Sequence, residues 1–260
     1  MGLTYFDCNA MLGQWKHNQG ECYPDADALI KAMDGYGIDK SLVYSPLSKY
    51  YDAREGNLRL LELIDKNPRF IPCATAIPHH TGEFFNIDEF AVYITNNNIA
   101  AVRIFPEFHG VKLHLYIWGG LFKTLEALGI PLFIDFTVST WSDPVDYKSV
   151  HDILCAYPDL NVVLLRMSLM SDRYIYPLLE RFNHLYIETS FYIGNNALHA
   201  FTKRFGADRL LFGTNLPVSS PYAPMAVIET GDLSETQKQM IAAGNLERLL
   251  ARKRNTDNVG

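Results

Sequence analysis

Short apolar runs alternate along the chain with segments whose apolar residues recur every three or four positions. The runs at residues 4–10, 40–45, 70–77, 100–105, 131–138, 161–167, 185–190 and 209–214 predict strands. The segments 25–36, 53–66, 87–97, 117–128, 146–156, 174–182, 195–205 and, after a short loop, 234–250 predict helices. Gly35 and Gly37 punctuate the end of the first helix, Gly129 ahead of Pro131 ends the fourth, and Gly206 ends the seventh. Strands joined by helical crossovers must run parallel, and eight of them in strict alternation with helices close most economically as a single (β/α)8 TIM barrel. A doubly wound open sheet would need a glycine-rich turn after an early strand, and the sequence has none. Without repeats or a Pro/Ser linker, residues 1–251 read as one barrel domain and 252–260 as a polar tail.

The length, 260 residues, suits one such barrel. A net charge of −6 argues against nucleic acid or an anionic membrane as the main partner. No apolar run approaches the ~20 residues of a membrane span, and the first residues have neither the basic nor the apolar region of an export signal. Cys8, Cys22, Cys73 and Cys155 are scattered and form no CxxC pair. Cys8, Cys73 and Cys155 lie in apolar stretches and read as buried thiols, so a reducing, cytoplasmic compartment is the expectation.

A barrel of this kind carries its chemistry at the C-terminal ends of its strands. In strand one, alternation turns Asp7, Asn9 and Met11 into the barrel and leaves Phe6, Cys8 and Ala10 for the helices. Strand four offers Arg103, followed by Glu107 and His109. Strand five offers Asp135 and Thr137, strand six Arg166 and Ser168, strand seven Glu188 or Thr189, and strand eight Thr214 or Asn215. His17, His79, His80 and His109 stand on loops where a relocated metal site is conceivable, although no spacing dictates one; His151, His184 and His199 read as scaffold. Trp15, Tyr50, Tyr51, Phe108, Trp118, Trp141 and Tyr222 fall where loops would surround the mouth, and residues 219–224, with Pro221 and Pro224, read as a lid anchor.

Several segments carry a family resemblance. Asn67-Pro68-Arg69-Phe70-Ile71 and Ala101-Val102-Arg103 resemble the lead-in to strand three and the strand-four segment of the amidohydrolase-related proteins. Gly129-Ile130-Pro131-Leu132-Phe133-Ile134 resembles their approach to strand five, and Asn245-Leu246-Glu247-Arg248-Leu249-Leu250 their closing helix. The most specific match is Phe205-Gly206-Ala207-Asp208-Arg209-Leu210-Leu211-Phe212-Gly213-Thr214-Asn215-Leu216-Pro217, similar to the family's Phe-Gly-x-Asp-Arg-x-Leu-Phe-Gly-Ser-Asp-x-Pro. The resemblance implies a metal-dependent-hydrolase barrel, in a branch that includes decarboxylases and lactonases of small aromatic or dicarboxylic acids.

It also implies which positions should hold the metal, and there this chain departs. Asn9 and Met11 replace the two strand-one histidines, Asp135 and Arg166 replace those of strands five and six, and Asn215 replaces the strand-eight aspartate. Arg cannot ligate, and one carboxylate will not hold zinc. Asn215 cannot act as a general base. The sequence reading therefore expects no metal and no cofactor. It expects Arg166 to supply the missing positive charge as the partner of Asp135, with hydrogen bonds from Asn9 and Asn215.

On this reading the barrel is hydrolase-like by descent and catalytically degenerate, and it binds a small carboxylate anion. Asn9, Arg103, Glu107, His109 and Asn215 are the binding residues, and Asp135 and Arg166 the candidates for any chemistry. Two alternatives stand beside it. One is a metal-independent hydrolase, lactonase or decarboxylase of a small carboxylated substrate, with Glu107, His109 or Glu188 moving protons. The other is an ordinary metal-dependent amidohydrolase with relocated ligands. The resemblance is also compatible with a homodimer.

Overall fold

The computed structural model describes residues 2–15, 22–137 and 144–251. His17, Trp141 and the tail at 252–260 lie outside the described residues. Eight strands form one sheet in sequence order: β1 (Phe6–Met11), β2 (Lys40–Tyr44), β3 (Phe70–Thr75), β4 (Ala101–Ile104), β5 (Leu132–Asp135), β6 (Val162–Leu165), β7 (Leu185–Glu188) and β8 (Leu210–Leu211). Each neighbouring pair is parallel. The sheet closes on itself where Cys8 N donates to Phe212 O (3.0 Å) and Met11 N to Leu216 O (2.9 Å). Among the described residues the helices are α1 (Ala26–Tyr36), α2 (Pro46–Tyr50), α3 (Ala53–Ile64), α4 (Ile87–Asn96), α5 (Leu115–Leu128), α6 (Tyr147–Ala156), α7 (Asp172–Arg181), α8 (Ala197–Phe205), α9 (Tyr222–Thr230), α10 (Glu235–Gln239) and α11 (Asn245–Leu250). None is long and apolar enough to cross a membrane.

Local chemistry explains most boundaries. Asp25, Ser45, Asp52 and Asp146 cap α1, α2, α3 and α6 by accepting backbone N–H groups, and Asn86 with Glu89 closes a capping box at α4. Gly37 and Gly129 end α1 and α5 in the left-handed conformation that a Cβ disfavours. The eight strands and the main crossover helices lie where periodicity predicts them. Two helices do not emerge from periodicity. α2 is five residues long, and α9 begins at Tyr222, directly after its cap Pro221, so residues 219–224 run into a helix. The predicted final helix is broken into α10, a π turn (Met240–Gly244) and α11.

The inward face of β1 differs from the expectation. Phe6, Cys8 and Met11 join Leu42, Tyr44, Phe133, Val163 and Leu165 in the interior cluster, whereas Ala10 packs with the outer, helix-facing cluster. The cause is a register shift between Asp7 and Ala10. One extra residue reverses the alternation beyond it. Asn9 still reaches the interior, while Asp7 is turned towards β8. Two further expectations are corrected. Cys155 is exposed on α6, although Cys8 and Cys73 are buried. Trp118 is buried within α5 instead of standing on a mouth loop.

Candidate functional site at the barrel mouth

The C-terminal tips of β1, β4 and β5 hold a buried polar cluster. Arg103 Nη2 donates to Asp135 Oδ2 at 2.6 Å and Nη1 donates to Asn9 Oδ1 at 2.8 Å. Arg103 and Asp135 are each 1% exposed. The guanidinium lies 4.0 Å from the Tyr44 ring centroid and 4.8 Å from that of Phe105, a stacking that the flat, weakly hydrated group tolerates. Asp135 Oδ1 accepts from Thr137 N. Asp135 thus takes Arg103 of β4 as its direct partner, and the expected Asp135–Arg166 pair is replaced by this one. Geometry explains the change: Arg103 lies within β4 with its fork spanning Asp135 on the neighbouring β5 and Asn9 on β1, whereas Arg166 follows β6 in a left-handed turn at φ 57°. Arg166 acts on Asp135 through its charge, and its own N–H donates to Glu188 Oε2. Burial pushes the Asp135 carboxyl up, but the charges of Arg103, Lys49 and Arg166 outweigh it and hold the group down to about 2.

Two more buried acids lie towards β7 and β8. Asp7 accepts from Asn9 N and from Thr214 N and Oγ1. Glu188 accepts from Arg166 N, Ser190 N and Ser190 Oγ. Its carboxyl lies directly over Gly213, where a Cβ would collide with it. Burial pushes Asp7 up to about 6 and Glu188 up to about 7, despite hydrogen bonds that pull both down. Both values exceed those of the unfolded chain, so the folded protein holds protons that the unfolded chain has released. The stability these acids contribute is full below about pH 4 and is lost as pH rises through 6 to 7. Asp135 has the opposite sign: its contribution is present above its ordinary value and lost as pH falls towards 2. His109 and His184, pushed down by burial, oppose the two raised acids near neutrality, so a variant isolates the effect. Relative to Glu188→Gln, the wild type is expected to lose stability between pH 5 and 7.5. A tenfold difference in proton affinity between folded and unfolded protein is worth ~1.4 kcal/mol, which sets the scale of the loss. Parallel urea-unfolding curves of the two proteins across that range would contradict this.

Beside the cluster, the loops after β2, β3 and β4 enclose a cavity of about 670 Å³ bordered by Lys49, Tyr50, His80, Glu83, Phe108, His109 and Tyr116. Lys49 projects from α2, and that helix is held tightly. Ser48 Oγ contacts Thr75 Oγ1 at 2.7 Å and donates to Ser45 O at 2.6 Å, while Asn57 bonds the backbone of Thr75 in both directions. Lys49 is 7% exposed, with its Nζ 4.9, 5.1 and 5.5 Å from the ring centroids of Phe105, Tyr50 and Phe108. Burial pushes its amine down to about 8; Arg103 and Arg166 push the same way and Asp135 pulls against them. Sequence reasoning missed Lys49. The available signal was Ser45-Pro46, an N-cap followed by proline at the first helical position, which announces a helix at the strand-two tip.

The other predicted residues divide. His109 borders the cavity, its Nε2 3.0 Å from Lys49 O, and its ring packs against Phe105 and Phe108. Glu107 is exposed and stands 3.7 Å from Lys112, away from the cluster. Asn215 takes a left-handed turn at φ 59° and donates to Ser219 Oγ, so it does not support Asp135. Thr137, Arg166 and Asn215 all have positive φ, a conformation that concentrates at functional sites. His79 and His80 stack on each other at 4.2 Å. Among the described residues no three His, Cys, Asp or Glu side chains group so as to hold a metal ion. Of the oxygen donors at the strand tips, Asn9 and Asp135 are engaged by a guanidinium, and Asp7 and Glu188 by N–H groups and hydroxyls. A divalent cation does not fit that donor set.

These features define a parallel (β/α)8 barrel whose polar groups gather at the C-terminal mouth. The amidohydrolase family model matches residues 51–252, and the chain belongs to that family. No curated protein matches it. Among solved structures it is similar to an uncharacterised TIM-barrel protein from Bordetella bronchiseptica, at 18% identity over 96% of this chain and 99% of that one, with a TM-score of 0.76. It is similar to 5-carboxyvanillate decarboxylase from Sphingomonas paucimobilis at 17% identity over 96% and 100% of the two chains, TM-score 0.70. It is also similar to a dihydroxybenzoic acid decarboxylase from Polaromonas, with bound manganese and the inhibitor 2-nitroresorcinol, at 15% identity over 100% of both chains, TM-score 0.73. At these identities the likeness establishes the shared barrel.

Proposed function

We propose that this chain is a metal-free member of the amidohydrolase family, catalytically degenerate for hydrolysis, that binds a small carboxylated, ring-bearing molecule at the barrel mouth. The observation that carries the reading is the Arg103–Asp135–Asn9 cluster, which fills strand-tip positions where the family resemblance expects metal ligands. A guanidinium there supplies the positive charge that a cation would otherwise bring. The charge balance supports an anionic ligand. Arg103, Lys49 and Arg166 all act on the single carboxylate Asp135, while Asp7 and Glu188 are engaged by backbone N–H groups and hydroxyls on the β7–β8 side. Arg103 is committed to Asn9 and Asp135, so Lys49 is the cation that borders the cavity. Tyr50, Phe108 and Tyr116 offer ring surfaces beside it, a combination suited to an aromatic acid. The decarboxylases among the solved relatives handle molecules of this chemical class. One observation favours the alternative of a metal-independent reaction: Glu188, at about 7, has the affinity of a group that can take and return a proton.

The test pairs metal analysis with thermal unfolding. Protein purified without chelators is expected to hold far less than one metal per chain, and EDTA is expected to leave the melting temperature unchanged. Benzoate and dihydroxybenzoate are expected to raise it by several degrees, since saturation at a hundredfold excess over Kd adds about 2.7 kcal/mol. Benzamide, with the same ring and no charge, is expected to do much less. One tightly held metal per chain, with a melting temperature that collapses in EDTA, would overturn the reading.

A further inference from the structure

Lys49 differs from the other lysines in what surrounds its amine. Lys40, Lys112, Lys148 and Lys238 each stand beside a carboxylate. Among the described residues, Lys49 Nζ instead has the rings of Phe105, Tyr50 and Phe108 around it, with a 670 Å³ cavity at its side. We propose that Lys49 is a covalent amine, which condenses with the carbonyl carbon of an aromatic aldehyde seated in this cavity to form an imine. The choice of a ring-bearing ligand rests on the reading above; the amine chemistry does not.

In this step the neutral Nζ attacks the aldehyde carbon and the C=O π electrons pass to oxygen, which takes up a proton. That proton comes from Nζ; as the C–O bond then breaks, the second Nζ hydrogen leaves with the hydroxyl as water, and the C=N bond forms with no net oxidation or reduction. The surroundings favour the neutral amine that the attack requires. Phe105, Phe108 and Tyr50 exclude water, and Arg103 from β4 and Arg166 after β6 add positive charge; Asp135 from β5 opposes them, and the balance leaves the amine at about 8. His109 packs against the backbone of Lys49. Its Nε2 is anchored on Lys49 O, and its Nδ1 is buried with no hydrogen-bond partner among the described residues.

The experiment uses the full chain at pH 7.5 with 4-formylbenzoate or benzaldehyde, cyanoborohydride to reduce any imine, and peptide mass spectrometry to place the adduct. Lys49 is expected to be labelled on the order of a hundredfold faster than any other lysine, because the neutral fraction of an amine at fixed pH grows in proportion as its proton affinity falls, and this amine falls to about 8. Labelling is expected to saturate with either aldehyde and to be protected by benzoate, whose carboxylate competes for the same amine. Lys49→Arg is expected to lose that adduct and keep the background labelling; should this variant not fold, benzoate protection of the wild type decides the matter. Even labelling over all lysines, or an unmodified Lys49, overturns the proposal. A benzoate-induced rise in melting temperature with no Lys49 adduct leaves the binding reading standing and removes the imine. Equal Lys49 labelling by both aldehydes with no benzoate shift does the reverse.

Discussion

Replacing Arg103 by methionine is expected to cost the folded protein about 3–5 kcal/mol, seen as a fall in the urea midpoint at unchanged slope. The substitution keeps most of the stem that packs on Tyr44 and Phe105 and removes the charge. Asp135 is then left as a carboxylate at 1% exposure without its direct partner, and Asn9 Oδ1 loses its donor. Lys49 and Arg166 soften the loss through their charges and do not replace the hydrogen bonds. The pH profile carries the signature of this cause. Asp135 sits at about 2 because Arg103 is its strongest favourable charge; without it the carboxyl takes up a proton at mildly acidic pH, so the variant's deficit should shrink as pH falls towards 5. Arg103→Met combined with Asp135→Leu is expected to be less destabilised than Arg103→Met alone, because two apolar groups leave no stranded charge. Arg103→Lys should not rescue, since a single ammonium cannot span Asn9 and Asp135 while stacking on Tyr44. A deficit below about 1 kcal/mol for Arg103→Met is the size expected of an exposed pair and would rule out this buried one.

The same cluster marks where sequence reading succeeds and where it stops. The strands and crossover helices are legible because burial imposes a period on residues near one another in the chain, and the parallel sheet follows from connectivity alone. Asn9, Arg103, Asp135 and Arg166 are legible as candidates because strand tips are predictable positions. Their pairing is not, since it depends on which of two guanidinium groups can aim its fork at Asp135. That is decided by a left-handed turn at Arg166 and by the stacking surface that Tyr44 and Phe105 offer Arg103. The bulge in β1 is equally invisible. A period of two predicts faces correctly only until one residue is inserted, and Phe6 and Cys8 therefore point opposite to expectation. Lys49 escaped notice for a third reason. In sequence it is a lysine between a serine and a tyrosine, and it becomes unusual only when β4 brings Phe105 and its loop brings Phe108 around it.

The position of Lys49 in turn hangs on Gly56, and Gly56→Ala is expected to be the most disruptive single-methyl change in this region. α2 and α3 cross so closely that a Cβ on Gly56 would lie 2.5 Å from Ser48 Cα and 2.6 Å from Ser48 Cβ. The obstacle includes backbone, so no side-chain rotation relieves it, and α2 must move. Ser48 is tied to Thr75 and Thr75 to Asn57, so movement of α2 also breaks hydrogen bonds buried between α2, β3 and α3. Overpacking of a tight core commonly costs 1–3 kcal/mol, and this case should reach about 3 kcal/mol or more. Gly35→Ala is the control. Gly35 lies in α1 and its added Cβ meets nothing within 4 Å, so helix propensity alone should stabilise by up to about 1 kcal/mol. The pair of substitutions separates local packing from a general intolerance of added methyl groups. It also bears on function: because α2 carries Lys49, Gly56→Ala protein held well below its melting temperature should lose benzoate binding and Lys49 labelling, while Gly35→Ala keeps both. Unchanged stability and labelling in Gly56→Ala would mean that α2 is not held against α3 in this way, and that the amine is not positioned by the network of Ser48, Thr75 and Asn57.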